Sequence, residues 1–256
     1  MSWDRNIVVK SNAELALMRE AGRTNAIALQ TVRELIRPGV TTAELDAAAE
    51  EVIRKAGGTP IFKGYPGPYP YPATLNVSLN EELVHGIPGK RKLKEGDIVS
   101  VDCGTLLEGF VGDAAFTVGV GEISPQALRL LEVTEQALYK GIAMMRPGLR
   151  TGDVSAAIQN FVEGQGYHVT REYTGHGVGR HMHEGPQVPN YGTPGRGVVL
   201  RPGMTIALEP MVLVGTPRTR VLTDQWTVAS ADGSLTAHFE HTVAVMNGEP
   251  QILTLL

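Results

Sequence analysis

In the stretch DIVSVDCGTLLEGFVGDAAF, residues 97 to 116, two strand-like segments flank a Gly-containing turn. Each carries an aspartate, Asp102 and Asp113, where strand patterning calls for an apolar residue. Two more acids sit in comparable settings, Glu209 in LRPGMTIALE and Glu240 in TAHFEHTVAV. Four carboxylates facing one another cannot all stay ionised unaided, because each like charge disfavours the next. Either they share protons or they hold cations. Two divalent cations would balance four negative charges and leave room for a water between them, so the acids predict a dinuclear metal centre. The bland alternative, four solvated turn residues, does not account for the apolar strand residues that flank all four.

Such a centre calls for a nitrogen donor, and YTGHGVGRHMHEGPQVPNY, residues 173 to 191, offers three histidines. His176 lies between glycines that let its backbone approach a crowded site, which suits a ligand. His183 is better placed to touch a substrate. His181 and His168 read as surface or core side chains, and His241, next to Glu240, points to the opposite face of its strand. His85, in NEELVHGIP, reads either as a catalytic group or as a satisfied structural histidine. Cys103 follows Asp102 and so faces the other way, into a core.

The elements that must position these groups follow from periodicity. Helical spacing covers residues 12 to 36, 42 to 56, 125 to 145 and 152 to 165; strand-like alternation appears near 97 to 120, 168 to 174, 204 to 214 and 221 to 246. The pattern is α+β. GYPGPYPYPA, residues 64 to 73, reads as a packed surface loop. RPGVTTAELDAAAEEVIRKAG from Arg37 recurs as RPGLRTGDVSAAIQNFVEGQG from Arg146, with Thr42 and Thr151 at the expected N-caps. LKEGDIVSVD then matches LRPGMTIALE at nearly the same spacing. Asp102 therefore corresponds to Glu209, and Asp113 to Glu240. The chain, residues 1 to 256, reads as one domain of two pseudo-symmetric halves, roughly 12 to 120 and 125 to 250.

Composition excludes several classes. A formal charge of −4 argues against nucleic acid as the main partner, leaving the basic run Lys90 to Lys94 as a local contact patch or a solvated turn. A single cysteine forbids an intramolecular disulfide, MSWDRNIVVK lacks the apolar core of a signal peptide, and no stretch approaches 18 uninterrupted apolar residues. The expectation is a cytoplasmic protein without a membrane span.

From about Ser11 to Leu253 the chain resembles type I methionine aminopeptidase. VHGIP, VSVDCGTLLEGFVGDAAFTV, YTGHGVGRHMHEGPQVPNY, ALEPM and FEHTVAV stand in that family's order and spacing. The resemblance implies the pita-bread fold, a central curved antiparallel sheet covered by helices. It implies metal ligation by Asp102, Asp113, His176, Glu209 and Glu240, with Asp113 bridging two divalent ions of Co, Mn, Fe(II) or Zn. Catalysis would involve His85, His183 and Glu209, and Phe62, Tyr65, Tyr71, Asn76, Met182 and Trp226 would join the two histidines around the substrate. Asn76 stands where many bacterial relatives have Cys, Met182 where an aromatic residue is common, and Gly185 where a second acid often follows. The implied activity is removal of N-terminal methionine from nascent polypeptides when the second residue is small. Implied too are a monomer and a transient ribosome contact. The rivals are a proline-specific pita-bread aminopeptidase, whose relatives usually carry a further N-terminal domain, and a non-catalytic pita-bread binding module, which would have lost ligands.

Overall fold

Ser11 accepts a hydrogen bond from the Glu14 backbone N–H, and the Glu14 carboxylate accepts one from the Ser11 backbone N–H, so the orphan donors of the first turn are satisfied on both sides. That box starts α1 (Asn12–Leu35), whose buried stripe Leu15, Met18, Ala21, Gly22, Asn25, Ala28, Leu29 and Val32 keeps helical spacing. The computed structural model describes residues 7–256. Most of the N-terminal segment weighed above for a signal peptide, residues 1–6, lies outside them.

After α1 come α2 (Thr42–Lys55), β1 (Thr59–Pro60), β2 (Leu75–Leu79), β3 (Glu82–Val84), β4 (Ile98–Leu107) and β5 (Phe110–Gly119). The second half begins with α3 (Pro125–Ala143) and α4 (Thr151–Gly164), then β6 (His168–Val169), β7 (Thr174–Gly177) and β8 (Glu184–Pro189). β9 (Thr205–Leu208), β10 (Met211–Leu213), β11 (Thr219–Val221), β12 (Val228–Ser230), β13 (Thr236–His238), β14 (Glu240–Ala244) and β15 (Gln251–Ile252) complete the chain. The four helices lie within two residues of the spans that periodicity predicts. The caps differ by one position: Thr41, not Thr42, caps α2 through a box with Glu44, and Arg150, not Thr151, precedes α4. In each case the acid, Glu44 or Asp153, sits three residues after the observed cap and its carboxylate accepts the cap's backbone N–H, which selects the earlier residue; only Thr41 returns a side-chain bond.

Among the described residues, the main sheet has nine antiparallel strands in the order β1-β4-β5-β14-β9-β7-β8, with β2 also on β4 and β15 also on β14. Two three-stranded sheets, β13-β10-β6 and β11-β12-β3, flank it. β4 and β5 form an unbroken ten-rung hairpin closed by Glu108 and Gly109, both at positive φ (50° and 77°), the twist that suits a two-residue turn. Register then decides the faces. Asn76 lies opposite Asp102, Asp102 opposite Ala115, Ala115 opposite Glu240, and Gly104 opposite Asp113. Two residues beyond Glu240, Thr242 pairs with Ala207, which pairs with His176. Because facing residues share a side and alternate along each strand, Asn76, Asp102, Asp113, Glu240 and His176 all project from one face. Val99, Val101 and Cys103 take the other face, buried against Ala28, Val32, Leu45 and Ile53 of α1 and α2. Cys103 is therefore core, as its parity predicts.

The loop at 64 to 73 has no regular structure and folds back on itself, with the backbone N–H of Tyr71 donating to Tyr65 and that of Gly64 donating to Tyr71. Tyr71 is buried and Tyr69 is exposed. Among the described residues, no helix is long and apolar enough to cross a membrane.

Candidate active site

On the helix-free face, small residues at Gly104, Ala115 and Ala207 clear a space that the acids occupy. Asp113 and Glu240 are 1% and 2% exposed, and their carboxyls are in hydrogen-bonding contact. Glu209 emerges just past the end of β9, where Pro210 ends the ladder; the amide of Asn190 donates to its backbone carbonyl at 2.9 Å. Asn76 donates through Nδ2 to Oδ2 of Asp102 at 2.8 Å, so a residue expected around the substrate also holds one of the acids.

His176 closes the group. Nδ1 lies 2.9 Å from the Gly177 carbonyl, which can only accept, so Nδ1 carries the proton and Nε2 presents a lone pair. That Nε2 stands 3.7 Å from Oδ2 of Asp113 and 3.6 Å from Oε1 of Glu209. The flanking glycines have a packing reason: a Cβ on Gly177 would lie 2.1 Å from the Gly185 carbonyl oxygen, and one on Gly175 2.8 Å from that of Ala207. The segment 179 to 184 is tied down by Glu184, which pairs with buried Lys10 at 2.6 Å and accepts from the backbone N–H groups of Arg180 and His181.

Electrostatics mark the cluster as incomplete without positive charge. Burial lifts Asp102 to about 7. Burial first, and repulsion from the other acids second, raises Asp113, Glu209 and Glu240 well above the carboxylate range. Burial also lowers His176 to about 3, keeping its imidazole neutral. Asp102 Oδ1, Asp113 Oδ1 and Glu240 Oε1 are buried without a hydrogen-bond partner. Orphaned oxygens, one neutral imidazole and four acids are the donor set of a divalent-cation site. Two overlapping groups, Asp113 with His176 and Glu240, and Asp102 with His238 and Glu240, each bring three ligand atoms within 4.8 Å of one another.

Every residue singled out in the sequence as a ligand, catalytic group or pocket residue lines one cavity of about 160 Å³: Phe62, Tyr65, Tyr71, Asn76, His85, Asp102, Asp113, His176, Met182, His183, Glu209, Trp226 and Glu240. Its apolar end is built by aromatic edges. The Trp226 ring meets that of Tyr71 edge-on at 5.1 Å, while the Tyr71 hydroxyl lies 2.9 Å from the carbonyls of Leu75 and Gly86. Tyr65 places its hydroxyl 2.6 Å from Nδ1 of His183, whose ring lies 4.3 Å from that of His176. His85 holds a left-handed backbone (φ 61°), uncommon for a non-glycine residue, and its ring packs on Tyr173 and Trp226. A second cavity, about 200 Å³, adjoins the first through His85, Asp102, His176, His183 and Glu209. The larger space of about 340 Å³ near Arg33 and Leu256 lies on the helix side and contains none of this chemistry beyond the edge of Glu240.

His241 faces away from the acids, bonded to Thr254, as strand parity predicts. His181 is exposed and His168 is partly buried in β6. Sequence reasoning passed over His238. It stands two residues before Glu240, so H-x-E spacing on an extended chain is the signal that was available.

The signature of metallopeptidase family M24 matches residues 16–247. A methionine aminopeptidase of Clostridium perfringens is 50% identical over 250 residues, 98% of this chain and 99% of that protein. The crystal structure of methionine aminopeptidase from Thermotoga maritima is 49% identical, with a TM-score of 0.95 over 98% of this chain and all of that one. An Xaa-Pro dipeptidase from Bacillus anthracis has a TM-score of 0.76 at 23% identity, a likeness of fold alone, and this chain spans 61% of it.

Proposed function

The chain belongs to the methionine aminopeptidases of metallopeptidase family M24, with their pita-bread fold, and from that premise we propose how its residues remove an N-terminal methionine. The enzyme is a metal-dependent hydrolase. Asp102, Asp113, His176, Glu209 and Glu240 would hold two divalent cations, and the observation that carries this is the cavity whose apolar end leads to four carboxylates, three of them with an unpartnered buried oxygen. Bound there, the cations supply Lewis acidity, acidifying water and polarising the scissile carbonyl. Co, Mn, Fe(II) and Zn all suit an oxygen-rich site with imidazole.

The chain's own groups do the rest. Glu209, at 13% side-chain exposure, is more open to the cavities than Asp113 or Glu240, which suits it to take a proton from the attacking water and deliver it to the leaving amine. Burial lowers His85 to about 4 and also lowers His183, so both meet substrate as neutral imidazoles that donate N–H to the peptide. Where Tyr65 donates to Nδ1 of His183, the imidazole proton sits on Nε2. Phe62, Tyr65, Tyr71, Met182 and Trp226 accept the methionine side chain, and Asn76 borders it while steadying Asp102.

This reading makes the two half-repeats one catalytic domain acting on N-termini of nascent polypeptides as a cytoplasmic monomer. The exposed Lys90, Arg91, Lys92 and Lys94 are its candidate ribosome contact, although Arg91 is engaged by Glu82 at 2.7 Å. Chelation tests the mechanism: metal-free protein should not hydrolyse a methionyl peptide, and one of Co, Mn, Fe(II) or Zn should restore turnover. Full activity without metal would refute it.

A further inference from the structure

His238 is 2% exposed, yet neither ring nitrogen has a hydrogen-bond partner. A buried structural histidine ordinarily satisfies at least one nitrogen, so this ring awaits something the protein does not supply. Its backbone is fixed. The N–H donates to Oγ1 of Thr117 at 2.9 Å, the same hydroxyl donates to the His238 carbonyl at 2.7 Å, and β13 pairs His238 with Met211. Nε2 then lies 3.6 Å from Oε2 of Glu240 and 3.8 Å from Oε2 of Glu209.

Those separations are too long for hydrogen bonds. They do suit ligands of one cation, because ligands each about 2.1 Å from a metal stand at most about 4.2 Å apart. They also repeat the spacing of His176, at 3.6 and 3.7 Å from its acids. His176 lies with Asp113 and Glu240, and His238 lies with Asp102 and Glu240, so the two groups meet at the shared Glu240.

Resting on the reading of this centre as dinuclear, we propose that His238 is a sixth metal-ligating residue, so that each cation receives its own imidazole. One position is then built from Asp102, His238 and Glu240, and the other from Asp113, His176 and Glu240. An imidazole at both positions makes the pair more nearly equivalent than a set with one histidine, and the two binding steps should lie closer together in affinity.

The test uses Co(II) added alone to chelator-stripped, full-length protein, followed by calorimetry and by proton NMR of the hyperfine-shifted, exchangeable imidazole N–H signals. Wild-type protein should bind two cations and show two such signals. His238→Gln and His176→Gln should each show one, with one binding step weakened at least about tenfold. His241→Ala, altered on the opposite face, should keep both. Wild-type protein with two bound cations and a single imidazole signal overturns the inference and leaves the dinuclear reading standing, whereas protein that binds no cation overturns both. Since the wild-type spectrum already decides between one and two imidazoles, a variant that fails to fold does not remove the test, and His238→Asn is a second replacement.

Discussion

At the scale of single residues, two histidines of one cavity should have separable jobs, because one faces acids and the other faces a tyrosine. His176→Ala deletes an imidazole 3.6 to 3.7 Å from Asp113 and Glu209, and should lower metal occupancy measured after dialysis. His183→Ala, whose ring bonds Tyr65, should keep its metal and lose turnover by about a hundredfold or more. Normal occupancy in both would undo this division. The acids make a pH prediction for the stripped protein. Carboxyls with raised folded-state values favour folding while protonated, and that contribution is lost as pH climbs through those values, about 7 for Asp102 and higher for Asp113, Glu209 and Glu240. His85, His176, His238 and His241, depressed to between about 3 and 4, act in the opposite sense, but their contribution is complete above the unfolded imidazole value of about 6.5. Lys10, lowered by burial, opposes the trend as one group against four. Metal-free protein should therefore melt at progressively lower temperature from about pH 6.5 to about pH 8.5, and saturating Mn(II) should remove the slope, because cations take over from protons. A level melting temperature in the stripped protein would contradict the burial of these acids.

At the scale of elements, α1 lies so close to β5 on one side and to the backbone following β15 on another that Gly112 and Gly22 have no room for a side chain. A Cβ on Gly112 would lie 2.6 Å from the Gly22 Cα, and one on Gly22 would lie 2.3 Å from the Leu253 carbonyl oxygen. Helix propensity alone favours Gly22→Ala by about 1 kcal/mol, but the collision outweighs it, and a net loss of about 1–3 kcal/mol is expected. Gly164→Ala, at the end of α4 with open space around it, should instead gain about 0.5–1 kcal/mol. Thermal melts of the metal-loaded variants should move in opposite directions, by about 2–4 °C per kcal/mol at this chain length. The helices were legible because caps and apolar stripes are local. β2 was not: all five residues Leu75 to Leu79 are buried, so the alternation that marks a half-exposed strand is missing. β3 escaped too, being three residues whose partner β12 lies far away in sequence, and so did β8 and β15, which pair with the neighbouring β7 and β14 but are broken by Gly185, Pro186 and Pro189 in β8 and are only two residues long in β15.

At the scale of the whole molecule, the cavity is lined from both halves of the sequence. Phe62, Tyr65 and Tyr71 come from the first, Met182 and Trp226 from the second, and the acid-bearing strands β4, β5, β14 and the end of β9 are neighbours across the sheet. An unbranched thioether fits the apolar end, while the residue after it must pass between His85 and the acids. Bulk there displaces the scissile bond, and an error of about 1 Å costs on the order of a hundredfold. In a series Met-X-Ala-Ser, kcat/KM should be high for X of Gly, Ala, Ser, Thr, Cys, Pro or Val, and lower by about that factor for Leu, Lys or Phe. Equal rates for Ala and Phe would contradict the steric argument. Cleavage of X-Pro bonds without methionine would favour the proline-specific rival.

The sequence by itself determined the helices, the strand parity that separates Asp102 from Cys103 and Glu240 from His241, and the residue types of a cation site, because caps, periodicity and charge act within a few residues. The tertiary structure decided what lies across the sheet. Asn76 reaches Asp102 because β2 pairs with β4 in one register, and Lys10 meets Glu184 across the molecule. His238 joins the acids because its strand ends where β14 begins, with Thr117 clamping its backbone. Alternation tells which way a side chain points, but only long-range pairing determines what it meets there.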